Sequence, residues 1–100
     1  MIVISGLITV EASDHDAAVA LFGPLVEATL AEDGNVTYGF WAHTSDPGVF
    51  RVYEEWDNDE ALTAHMSAPH MIEFLGGMAG LKVTGTEINR YDVSAITKFM

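Results

Sequence analysis

Two β-rich runs, Asn35–His43 and Val49–Trp56, flank the polar turn Thr44-Ser45-Asp46-Pro47-Gly48. Aromatic and β-branched residues on either side of a Pro-Gly turn predict an antiparallel hairpin. Apolar groups sit on both faces of that hairpin. In the second run Phe50, Val52 and Trp56 share one face with Glu54, while Tyr53 points the other way with Arg51 and Glu55. In the first run Tyr38, Phe40 and Ala42 oppose Thr37, Gly39 and Trp41. An antiparallel sheet covered on one side alternates apolar and polar more cleanly than this. The chain therefore needs a cover for each face of its sheet.

The remaining segments supply one of those covers. Met1–Glu11 is rich in Ile and Val and reads as a strand, with Ile2, Ile4, Ile8 and Val10 opposing Val3 and Leu7. Ser13 with Asp16 predicts a capping box for a helix running to about Glu32. Ala18, Leu21, Phe22, Leu25, Ala28 and Thr29 form its buried stripe. Gly23-Pro24 predicts a kink there, or two shorter helices, because proline removes a helical hydrogen bond. Asp33-Gly34 ends the helix. Asp57 with Glu60 predicts a second capping box and a short helix to about His65. Pro69 suits the first position of another helix through Met78, and Lys82–Val93 is the last strand.

The order βαββ(αα)β predicts an α+β, ferredoxin-like sandwich: a four-stranded antiparallel sheet with helices on one face. A chain of 100 residues has room for one such domain, spanning residues 1–100. The second sheet face is then expected to pack on an identical chain. The apolar tail, residues 93–100, is expected to dock on the partner subunit or on its own chain.

Charge narrows the function class. Four Lys and Arg stand against 15 Asp and Glu, a formal net charge of −11. That opposes nucleic acid and anionic membrane surfaces, whose phosphates need cationic side chains. With 49% apolar residues the chain is not a disordered acidic segment. No apolar stretch reaches the ~20 residues of a membrane span. The N-terminal stretch lacks the basic residues that open a signal peptide, so a cytoplasmic location is expected. Cysteine is absent, which excludes disulfides and thiolate metal sites.

Candidate chemistry rests on few residues. His65 follows Ala61 and Leu62 by one turn and should face inward, where a neutral imidazole can move one proton near pH 7. The bland alternative is a core histidine satisfied by backbone groups. Glu54 shares the core face with Trp56, so its carboxylate should be desolvated and serve as base, hydroxyl anchor or backbone cap. Tyr38 and Tyr53 offer hydroxyls or merely pack. Met66, Met71 and Met78, with Phe74 and Leu75, would form a pliable apolar wall. His65, His70 and Glu73 are a weak metal-ligand set, with a proline between the histidines; no metal is expected.

The stretches Glu32-Asp-Gly-Asn-Val-Thr-Tyr38 and Phe50-Arg-Val-Tyr-Glu54-Glu-Trp56, continuing through Ala61-Leu62, His65 and Ser67-Ala-Pro-His70, resemble the antibiotic biosynthesis monooxygenase family. The resemblance covers nearly the whole chain. It implies a dimeric α+β barrel in which two sheets pack face to face. It also implies a cofactor-independent monooxygenase that oxidises a small electron-rich aromatic, a quinol or anthrone, with O2. The alternative is a non-catalytic, small-molecule-binding or stress-associated homodimer of the same fold. The family-level matches are Tyr38, Glu54, Trp56, His65 and His70. With Phe74 they make the expected pocket, and His65 is the expected base. The heme-degrading branch fits poorly: it has tryptophan near the position of His65, an iron-ligating histidine near Leu75, and an asparagine on the first strand. No cofactor is implied.

Overall fold

The computed structural model describes residues 1–100. Strand β1 (Ile2–Val10) leads through a single 3-10 turn into helix α1 (His15–Leu30). The hairpin β2 (Asn35–Ala42) and β3 (Val49–Trp56) follows, then α2 (Asp59–Met66), α3 (Pro69–Met78) and β4 (Val83–Asp92). The four strands form one antiparallel sheet in the order β2-β3-β1-β4. This is the ferredoxin-like α+β arrangement that the element order predicts. No helix is long and apolar enough to cross a membrane.

Register puts the core on one face. Phe50 opposes Ile8, Val52 opposes Gly6, and Trp56 opposes Ile2 across β1–β3. Against them lies the α1 stripe, with Ala18, Phe22, Leu25 and Thr29 buried and Leu21 and Ala28 half-buried. Phe22 stacks on Phe40 at 4.0 Å between ring centroids and meets Phe50 edge-on at 5.0 Å. The opposite face carries Trp41, which folds back over Gly39 and remains 56% exposed.

Several local expectations need correction. Ser13 lies inside the 3-10 turn and no side chain caps α1. α1 continues through Pro24 as one helix rather than two; Pro24 lies on its exposed side, and the helix forgoes only the proline's missing donor. The cap of α2 is Asn58, one residue beyond the expected Asp57. The Asn58 backbone is extended, and its side-chain oxygen accepts from the Ala61 amide at 2.9 Å. Gly34 has φ +82, the left-handed geometry that turns α1 into β2.

The sheet edge at β4 is uncovered: every residue from Val83 to Asp92 is exposed. The tail does not dock on its own chain, since Phe99 is 92% and Met100 91% exposed.

Candidate functional site

An apolar cavity of about 250 Å3 lies between α3 and the sheet. Met71, Phe74, Leu75 and Met78 wall it from α3, and Ile8, Phe40, Val52 and Ile88 from the strands. Three polar side chains line it: Tyr38 and Glu54, paired across β2–β3, and Thr86 of β4. Met66 faces solvent instead. A larger groove of about 580 Å3 runs between α1 and β2, but Glu27 is its only charged lining residue. Converging polar groups single out the smaller cavity as the candidate site.

Glu54 is 7% exposed. Its Oε1 accepts from the indole Nε1–H of Trp56, two residues along the same strand, at 2.9 Å. Burial pushes the Glu54 carboxyl above its ordinary range, and repulsion from Glu32 adds to this. The Trp56 bond and the nearby His65 ring pull the other way without cancelling it. Burial, then the negative charges of Glu54 and Glu32, push the Tyr38 phenol upward, so it stays neutral. The cavity therefore meets a buried carboxylate that can take a proton and a phenol that can give a hydrogen bond.

Behind this pair lies a second polar layer. His65, in the last turn of α2, is 1% exposed. Its ring packs 4.8 Å from Trp56 and 5.3 Å from Tyr38. Its Nδ1 faces Glu32 Oε2 at 2.7 Å, and His70 Nε2 faces the same oxygen at 2.8 Å. Each imidazole presents an N–H to one carboxylate oxygen. Glu32 is held in the turn after α1, where its amide bonds the Thr29 carbonyl and its carbonyl accepts from Asn35.

The structure thus divides the expected pocket. Tyr38, Glu54 and Phe74 line the cavity, whereas Trp56, His65 and His70 stand outside its lining. His65 is bound to a side-chain carboxylate, not to the backbone groups of the bland reading. Glu73 lies in a separate cleft beside His70, and Glu32 takes its expected place beside the two histidines. His43 is spent on the hairpin turn, accepting the Ser45 and Asp46 amides. His15 contacts the Pro47 carbonyl at 2.7 Å. Tyr53, on the outer face, donates to Glu55 at 2.6 Å and does not reach the cavity. Glu32 escaped the sequence reading as a partner because 33 and 38 residues separate it from the two histidines.

Comparison with known proteins agrees with the fold. A solved structure from Deinococcus radiodurans, described provisionally as an antibiotic biosynthesis monooxygenase, is 27% identical. It superposes with a TM-score of 0.90 over 100% of this chain and 99% of its own. A similarly described protein from Nitrosomonas europaea shares the fold at 19% identity, with a TM-score of 0.88 over 95% of this chain and 100% of its own. An uncharacterized protein of Synechocystis sp. is 28% identical over 93 residues; they are 93% of this chain but only 63% of that relative's length. The profile of the family described as Antibiotic biosynthesis monooxygenase matches residues 1–76, and the chain belongs to that family.

Proposed function

We propose that this protein is a cofactor-independent monooxygenase acting on a small electron-rich aromatic, with Glu54 as the base that meets substrate. The observation that carries the reading is the buried carboxylate at the polar end of an otherwise apolar cavity. A carboxyl raised by burial is poised nearer neutral pH, where a general base is most effective. The cavity, about 250 Å3, lies below the ~300–1,000 Å3 typical of larger ligands and suits one to three flat fused rings.

The chemistry balances without an electron carrier. Glu54 takes a proton from an activated C–H or O–H of the bound quinol or anthrone. The resulting anion gives one electron to O2, and the radical pair combines to form a C–O bond. Protonation yields a hydroperoxide. At an anthrone methylene the hydroperoxide then breaks its O–O bond and loses the geminal C–H proton, leaving a carbonyl and water. The substrate carbon supplies all four electrons that reduce O2. Tyr38 donates to the developing oxyanion, and the α3 wall excludes water. His65, the base expected from the sequence, acts one layer back, where it packs against Trp56 and Tyr38 and holds them in place.

A second copy of the chain completes the fold in this reading. Trp41 and Tyr91 are exposed on the outer face and β4 is an open edge. Packing the two sheets face to face covers both, and the partner receives the exposed tail. Light scattering at micromolar concentration gives twice the chain mass; the monomer mass refutes this assembly.

Oxygen uptake tests the function. A panel of hydroquinones, naphthalenediols and anthrones is added to chelator-treated protein. Uptake above autoxidation that drops at least ~100-fold in Glu54→Gln is the expected result. Binding without uptake across the panel would favour the non-catalytic homodimer.

A further inference from the structure

The Glu32–His65–His70 cluster lies outside the cavity and is not consumed by the proposed reaction. Three elements converge on it: the turn after α1, the end of α2 and the first turn of α3. The potential donor atoms of all three lie within 4.8 Å of one another. Two imidazole nitrogens aim at one carboxylate oxygen, at 2.7 and 2.8 Å. His65 is fully enclosed and Glu32 is 15% exposed, so two of the three donors are largely shielded from solvent. His70, at 25% exposed, opens onto a cleft of about 250 Å3 between α1 and α3. That cleft brings solvent to His70, the outermost of the three donors.

We propose that Glu32 Oε2, His65 Nδ1 and His70 Nε2 form a binding site for a first-row divalent cation, Zn2+ in particular. Two imidazoles and one carboxylate suit such ions and not Mg2+ or Ca2+, which favour all-oxygen shells. A tetrahedral ion with bonds of about 2.0–2.2 Å separates its ligand atoms by ~3.4 Å. Reaching that spacing takes a shift of about 0.6–0.7 Å between Glu32 Oε2 and each nitrogen, and the two nitrogens, which lie within 4.8 Å of one another, must settle to the same separation. The ion replaces the two N–H protons now directed at the carboxylate, converting hydrogen bonds into coordination. Each chain carries the whole site. Bound metal would clamp the α1 end against α2 and α3, one layer behind Trp56 and Tyr38. The inference does not depend on the oxygenase reading.

The test is calorimetric titration of chelator-treated protein with Zn2+, with Co2+ absorption reporting geometry. The expected result is one ion per chain and the intense visible bands of tetrahedral Co2+. His70→Asn and Glu32→Gln should each weaken binding more than ~100-fold, beyond the 10–100-fold that loss of a supporting group costs. Glu73→Gln, at the cleft rim, should leave affinity unchanged. His70 is partly exposed, so its variant should fold, and circular dichroism checks this. No saturable binding to the unmodified chain overturns the proposal. So does binding that survives both ligand substitutions, which places the ion on the acidic surface.

Discussion

Replacing Trp56 with Phe removes one donor from a buried carboxylate and leaves most of the ring in place. Trp56 is fully buried, and its Nε1–H is the bond to Glu54 Oε1. A hydrogen bond to a charged group contributes about 1.5–3 kcal/mol. Phe leaves roughly 40 Å3 unfilled, costing about 1 kcal/mol at ~24 cal/mol per Å3. The sum is about 2.5–4 kcal/mol, or ~10–16 °C in Tm at about 4 °C per kcal/mol. The pH dependence separates the two contributions. Glu54 is already raised above its ordinary 4.5 by burial, and loss of the donor raises it further. A raised carboxyl keeps its proton in the folded state where the unfolded chain has lost it. Stability therefore falls as pH rises from 4.5 through the folded value. In Trp56→Phe that fall is larger. The penalty should be near ~1 kcal/mol at pH 4, where only the cavity counts, and reach its full size at neutral pH. Urea unfolding followed by circular dichroism between pH 4 and 8 measures it. A penalty that stays at ~1 kcal/mol across the range would show that the Trp56 bond does not hold the Glu54 charge.

The remaining expectations are local. Gly34→Ala places a Cβ 2.5 Å from the Ala61 Cβ at a residue with φ +82, so a loss of about 1–3 kcal/mol is expected; an unchanged Tm would mean that the α1–β2 turn has another geometry. Gly6→Ala sets a Cβ 2.2 Å from the Glu87 carbonyl oxygen and 2.3 Å from the Ile88 Cα. It should detach β4, seen as lost amide-exchange protection in Val83–Asp92 while β2 and β3 stay protected. Tyr53, pushed up to about 12 by its bond to Glu55, should titrate late by ultraviolet absorbance. Its raised value means the stabilisation is intact below pH 10 and lost as pH rises toward 12; Glu55→Gln should return it toward 10.

The fold was readable because each signal was local. Alternation in Tyr38–Ala42 and Phe50–Trp56 set the strand faces, and the α1 spacing of Ala18, Phe22 and Leu25 chose the buried side. The caps were displaced because Asp57 and Asn58 are both good cap residues and only the chain direction after β3 decides between them. At the site, the Glu54–Trp56 pair could be read from a two-residue spacing. Periodicity also turned His65 inward, but it could not say what lay inside. His65 packs on Tyr38 and Trp56 and does not line the cavity, an arrangement produced by packing α2 beside β3 rather than by any pattern in α2. Glu32 meets its two histidines only when the α1–β2 turn closes, a contact long in sequence and invisible to helical spacing.

In the proposed reaction, oxygen from O2 enters a substrate carbon at the Glu54 cavity. Turnover of an anthrone under 18O2, followed by mass spectrometry of the product, tests it most directly. The expected product is a ketone carrying one 18O atom, formed without free peroxide and lost in Glu54→Gln. An unlabelled product accompanied by hydrogen peroxide would mean simple dehydrogenation and would contradict it.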